Sequence, residues 1–248
     1  MPAPNIKEAD PRINGLVARQ NGEIFVAVRS NSTELAGVWR LTAGRFQKFA
    51  SLPAGAGLNG MADDGRFLYI ADDLAGRLYR ITPQGQGEVW IEDARLAPQG
   101  QSAYGFPVYG ANGVKVHGGE VYVSNSSTGT LWRISIAQDG TPGALTAFLP
   151  TVHFHNIDDF AFDGRGNLYF ATVVDHTVER VSPQGEITVL LQRTDGLDMP
   201  TAVAFGETEA TRSTLFVTSG SFYSPPGTVP HANVLKFETD QRGESILR

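Results

Sequence analysis

One layout, returning five times, constrains what this chain can fold into. The segments NGLVARQNGEIFVAVRS from Asn14, NGMADDGRFLYIADD from Asn59, NGVKVHGGEVYVSNS from Asn112, DDFAFDGRGNLYFAT from Asp158 and TAVAFGETEATRSTLFVTSG from Thr201 align under one another. Each joins a short apolar strand, a Gly-rich or polar turn and a second strand of the pattern L/V-Y/F-V/F-A/S/T. Third strands follow in register: GVWRLTA, GRLYRIT, GTLWRIS, HTVERVS and ANVLKFE. Weaker fourth strands come next: RFQKFASL, GEVWIED, ALTAFLP, GEITVLLQ and ESILR. The anchors lie 45, 53, 46 and 43 residues apart. Four short strands at a period of 40 to 50 residues are the mark of a β-propeller blade. The expectation is an all-β propeller of four-stranded antiparallel blades, one domain over 1–248, with repeats near 13–54, 57–96, 110–150, 156–197 and 200–248.

Composition supports a packed fold and narrows the partners. Hydrophobic residues make up 41% of the 248 and charged ones 19%, enough apolar material for a core. A net charge of -6 without any Lys/Arg cluster argues against nucleic acid and anionic membrane surfaces, which leaves a small-molecule substrate as the expected partner. With no cysteine there is neither a disulfide framework nor a thiolate site. No apolar run approaches the roughly 18 residues of a membrane span, and MPAPNIKEADPR lacks the pattern of a signal peptide. The expected location is cytoplasmic, or secreted or periplasmic if a signal segment has been removed. The expected state is a monomer or weak homo-oligomer, since an open blade edge is a template for association.

Blade geometry converts sequence position into spatial position. The first strand of each blade lines the axis, so residues before it share one face with the loops between second and third strands and with the interblade segments. The long segments 30–37, 97–110, 151–156 and 221–231 all map to that face, whereas the opposite turns QNG, DDG, HGG and DGRG are tight hairpin connections. Binding is expected on the elaborated side. His153, His155, His176 and His231 fall there, and His117 falls in an opposite turn. Tyr104, Tyr109, Phe154 and Tyr223 are candidate pocket walls.

Asn14, Asn59, Asn112 and Asp158 share one blade position, with Thr201 in the fifth. Two readings stand. Convergent amide and carboxylate oxygens suit a hard cation; alternatively, each Asn satisfies nearby backbone groups and the following Gly supplies a positive φ.

Through LNGM at 58–61, ANGVKVHGGEVYVSNS at 111–126, NIDDFAFDGRGNLYFAT at 156–172 and MPTAVAFG at 199–206, the chain resembles the gluconolactonase and regucalcin family of six-bladed propellers. The resemblance implies a divalent cation, Ca²⁺ first and Mg²⁺, Mn²⁺ or Zn²⁺ as alternatives, held by Asn59, Asn112 and Asp158. The family's first blade, with its metal-binding Glu, has no counterpart before Asn14, and Glu8 lies too near the next strand to replace it. The chain is therefore expected to be five-bladed, or a six-bladed type missing one blade, with Asp159 or a loop residue as a possible extra donor.

The resemblance further implies metal-dependent hydrolysis of a lactone or similar small ester. The cation would polarise the carbonyl and acidify water, with Asp158 and His155 as catalytic residues. Asn14, Tyr104, Tyr109, His153, His176, Tyr223 and His231 would contact substrate. No Ser-His-Asp arrangement, phosphate loop or Gly-x-Ser-x-Gly elbow is visible. A non-catalytic binding propeller and a metal-independent histidine-based lyase are the alternatives.

Overall fold

A computed structural model describes residues 11–100, 108–150, 152–154, 156–222, 229 and 231–245. The fold is a five-bladed β-propeller built from antiparallel sheets. Blade one comprises β1 (Arg12–Ala18), β2 (Ile24–Arg29), β3 (Gly37–Thr42) and β4 (Arg45–Ser51); blade two comprises β5 (Leu58–Asp63), β6 (Leu68–Asp72), β7 (Arg77–Ile81) and β8 (Gly87–Glu92). Blade three has β9 (Ala111–His117), β10 (Glu120–Asn125), β11 (Thr130–Ile136) and β12 (Pro142–Phe148); blade four has β13 (Ile157–Phe162), β14 (Leu168–Thr172), β15 (Thr177–Val181) and β16 (Ile187–Leu191). Blade five has β17 (Pro200–Phe205), β18 (Thr214–Ser219) and β19 (Asn233–Glu238). Strands are hydrogen-bonded in sequence order within every sheet. Two compact units result: one of residues up to Ser127 with Arg133–Thr146, and one of Thr128–Trp132 with Ala147–Ser245. The first carries blades one and two and most of blade three, and the second carries blades four and five.

The fifth blade differs from the sequence expectation at its outer edge. Glu244 and Ser245, the described part of ESILR, are not in a strand. Instead Gly243 bridges Asp163, and the Glu244 N–H donates to Phe162 O at 2.9 Å, so this segment runs beside the end of β13 rather than along β19. His117, expected in a turn, is the last residue of β9, its ring edge-on to Tyr122.

Side chains alternate as the pleat requires, and the second strands are buried most deeply: every residue of LYIAD in β6 and LYFAT in β14 is buried. In the first unit Val17, Phe25, Val38, Leu58, Met61, Ile70 and Tyr79 belong to one core cluster. In the second, Tyr169, Val178, Leu197, Val203, Leu215 and Val217 do the same. Phe154, a sequence candidate for a pocket wall, is fully buried and packs edge-on against Phe170 at 5.3 Å; it is core.

All five inner strands break register at the predicted site position. The pairing slips between Ile13 and Gly15, between Leu58 and Met61, opposite Asn112 on β9, between Ile157 and Phe160, and between Pro200 and Ala202. Asn14, Asn59, Asn112, Asp158 and Thr201 therefore sit on bulges, which leave a residue outside the ladder and re-aim its side chain. The glycines that follow Asn14 and Asn59 have a different cause from the expected positive φ, since neither is among the residues in that region. A Cβ on Gly15 would lie 2.4 Å from Asn59 O, and one on Gly60 would lie 2.4 Å from Asn112 O. Glycine is required because consecutive inner strands in the first unit approach backbone to backbone.

At the opposite end, buried aspartates build the turns. Asp163, with no exposure, accepts from the backbone N–H groups of Arg165 and Asn167, from Asn167 Nδ2 and from the Tyr169 hydroxyl. Asp163, the second acid of the D-x(4)-D pattern, is thus a turn-former.

Candidate functional site

In the first unit the bulged residues form a chain of side-chain contacts. Asn14 Nδ2 donates to Leu58 O at 2.9 Å, which ties β1 to β5 just before the next bulge. Asn59 Nδ2 donates to Asp73 Oδ2 at 3.1 Å, and Asn112 Nδ2 donates to Ser126 Oγ at 2.9 Å. Asp73 and Ser126 are equivalent, each the residue after its blade's second strand. Among the described residues, no donor reaches the Oδ1 atoms of these three amides, so each amide is anchored by its nitrogen and keeps its carbonyl oxygen.

The charged members of this group are Arg29 and Asp73, neither of which the sequence reading selected. Arg29, at the end of β2, donates from Nη1 to Asp73 Oδ1 at 3.1 Å and Oδ2 at 3.0 Å. Asp73 is 1% exposed, and burial pushes its carboxyl up to about 6 against the opposing pull of Arg29 and Asn59. Arg29 keeps 24% of its side chain exposed. The buried carboxylate thus holds one edge of a guanidinium whose Nε and Nη2 make no hydrogen bond among the described residues. Its neighbour Asp72 is structural: Oδ1 accepts the N–H groups of Gly57, Leu74 and Ala75. The signal that could have found Asp73 is the doubled acid in YIADD, since the residue after the second strand is Ser30, Ser126, Val173 or Gly220 in the other blades.

The donor set of the first unit does not fit a divalent cation. Ca²⁺ sites owe their affinity to several carboxylates among their oxygens. Here the amides are neutral, and the carboxylate beside Asn59 is already neutralised by a guanidinium. Among the described residues no group of three or more His, Asp or Glu is placed to hold a metal. Of the expected ligands, Asn59 and Asn112 lie in this unit, whereas Asp158 lies on the β13 bulge of the second unit, half-buried like Asp159.

In the second unit, three loops meet at the same end of the sheets. Ser221 Oγ donates to Asp198 Oδ2 at 2.5 Å, and the His231 N–H reaches the same oxygen at 3.3 Å. His176 Nδ1 accepts the Met199 N–H at 3.0 Å, so the ring is neutral with its proton on Nε2; the 3.3 Å approach of Arg193 Nη1 to Nε2 is then not a hydrogen bond. Burial and Arg193 hold the His176 pKa below its ordinary value, while the Ser221 hydroxyl and the His231 N–H keep Asp198 below its own. The His231 ring is exposed, and Thr201 Oγ1 contacts Thr218 Oγ1. His153 Nδ1 donates to Gly129 O at 3.2 Å, which ties its ring to the backbone. Tyr109 is half-buried in the first unit, where its carbonyl accepts the Ser127 N–H. Tyr104, His155 and Tyr223 lie outside the described residues.

Bulged inner strands that carry polar side chains, with tight aspartate-built turns at the other end of the sheets, recur from blade to blade. The chain belongs to the SMP-30/Gluconolactonase/LRE-like family, whose model matches residues 8–221. A curated Sarocladium schorii protein, provisionally named hetero-Diels-Alderase asR5, is 29% identical over 171 residues, 59% of this chain and 42% of the relative. The chain thus spans about two fifths of that relative's length. Among solved structures, a calcium-binding regucalcin from Agrobacterium tumefaciens is 18% identical over 95% of this chain and 77% of its own, with a TM-score of 0.67. A virginiamycin B lyase from Staphylococcus aureus is 13% identical over 97% and 73%, with a TM-score of 0.56. At these identities the two structures establish the fold. Among the described residues no helix is long and apolar enough to cross a membrane.

Proposed function

We propose that the chain is an enzyme acting on a small lactone- or ester-type carbonyl compound, with Arg29 rather than a metal ion as the electrophile. The observation that carries this is the guanidinium fixed by buried Asp73 at the bulged end, with donors left over. A carbonyl oxygen gains negative charge as water adds to it. A positioned guanidinium stabilises that charge without reorganising, and removing one such donor costs roughly 100-fold in rate or more. The free Oδ1 atoms of Asn14, Asn59 and Asn112 supply acceptors for substrate hydroxyls, and Asp73 acts as a positioning residue. Family membership and the gluconolactonase in the family's description support the substrate class.

The relative from Sarocladium schorii supports a second reading. A hetero-Diels–Alder cycloaddition is concerted and requires orientation plus electrostatic activation, which the same guanidinium provides without a nucleophile.

Hydrolysis of δ-valerolactone and p-nitrophenyl acetate, with and without EDTA, tests the first reading. Turnover that survives chelation and falls about 100-fold in Arg29→Gln supports it. Turnover abolished by EDTA and restored by Ca²⁺ would overturn it in favour of a bound divalent cation. Turnover indifferent to Arg29→Gln would also overturn it.

A further inference from the structure

The strongest unassigned feature lies in the second unit and is independent of Arg29. Asp198 is 8% exposed, and its Oδ1 is a buried oxygen without a hydrogen-bond partner. Leaving a buried carboxylate oxygen unsatisfied forfeits its hydration without return, so something ordinarily binds it. Among the described residues, the surrounding groups are committed elsewhere. The Ser221 hydroxyl goes to Oδ2, and the His231 N–H is shared between Ser221 Oγ at 3.1 Å and Oδ2 at 3.3 Å. His176 Nδ1, at 3.8 Å, is the nearest ring nitrogen, but its lone pair is taken by the Met199 N–H, so it has no proton to offer Oδ1.

The backbone around this oxygen is also held in an unusual state. His176, Met199 and Ser221 have φ of 54°, 56° and 47°. All three are non-glycine residues in the left-handed region, where strain gathers at ligand clamps and active sites. They come from three separate loops: the turn between β14 and β15, the lead into β17 and the exit of β18. Strain from three loops, focused on one ionised carboxylate whose second oxygen is empty-handed, is the pattern of a preformed acceptor.

We propose that Asp198 Oδ1 receives a hydrogen-bond-donating group, a hydroxyl or a protonated amine, of a small-molecule ligand at the bulged end of blades four and five. Both donors satisfy the same oxygen. They differ in charge, and Asp198→Asn separates them: a protonated amine loses its ion pair, whereas a hydroxyl keeps a neutral acceptor.

Backbone-amide NMR of the full chain tests this with benzylammonium and benzyl alcohol as probes and benzoate as the anionic control. Fragments of this size are expected to bind with Kd of about 1 to 10 mM. The expected result is saturable shifts of the Met199 and Ser221 amides with one or both donors and none with benzoate. Asp198→Asn should weaken benzylammonium about tenfold or benzyl alcohol about twofold to threefold, the amine loss being that of a charge-assisted bond. Ser221→Ala, whose hydroxyl meets Oδ2 and the His231 N–H but not Oδ1, should retain binding and keeps the test open if Asp198→Asn folds poorly. Absence of saturable shifts with both donors, or shifts unchanged in Asp198→Asn, would overturn the proposal and leave Oδ1 with water as its partner.

Discussion

Replacing Asp73 with asparagine should flatten one component of the chain's stability against pH. The carboxyl titrates at about 6 in the fold, against 3.8 for the ordinary group, because burial penalises its charged form more than Arg29 and Asn59 reward it. Its folded pKa lies above its unfolded one. Between those values the folded state therefore binds more protons, and stability falls as pH rises through the window. The full difference corresponds to about 3 kcal/mol at neutral pH, at 1.36 kcal/mol per unit. Of that, about 1 kcal/mol is already lost at pH 4.5, so about 2 kcal/mol should disappear between pH 4.5 and 7.5. The carboxamide of the variant cannot ionise, and other carboxylates titrate alike in both proteins. Urea denaturation of wild type and Asp73→Asn at pH 4.5, 5.5, 6.5 and 7.5 isolates this component. Wild type minus variant should fall by about 2 kcal/mol across the series, most steeply below pH 6. Parallel curves, within about 0.5 kcal/mol throughout, would refute the claim that desolvation outweighs the Arg29 pair.

Three other outcomes follow from the same geometry. Lactone or ester turnover should lose activity on an acid limb near pH 6, because protonating Asp73 loosens the hold on Arg29; a pH–rate profile shifted or abolished in Asp73→Asn checks it. Gly60→Ala should lower stability by about 2 kcal/mol or more in thermal or urea unfolding, since the new Cβ meets Asn112 O at 2.4 Å and Val114 N at 2.7 Å, both backbone atoms that cannot swing aside. Asp163→Ala should cost about 3 kcal/mol or more, because two backbone N–H groups, an amide and a phenol lose one fully buried acceptor together; a loss below about 1 kcal/mol would show that water replaces it.

The fold was legible because repetition turns weak local signals into a strong one. A single run such as LYIAD is ambiguous, but its recurrence with a turn and a third strand at a fixed period is not. The common position of Asn14, Asn59, Asn112, Asp158 and Thr201 was legible for the same reason, and the register break in every inner strand is the structural counterpart of that alignment. Features that break the repeat were harder to read. Arg29 and Asp73 acquire meaning only when β2 and the end of β6 are set side by side, 44 residues apart in sequence. Their pairing is a contact between blades, which the pattern within any one blade does not encode. Asp198 is similar, for its environment is assembled from residues 176, 221 and 231. The amides illustrate why alignment alone does not specify the chemistry. Asn59 and Asn112 occupy like positions and donate to like positions, yet one partner is a carboxylate tied to a cation and the other a serine hydroxyl. Equivalent places in a repeat share geometry but not charge. The charge brought by Arg29 is absent from the repeat's common pattern, and the carbonyl-binding role proposed for it rests on that difference.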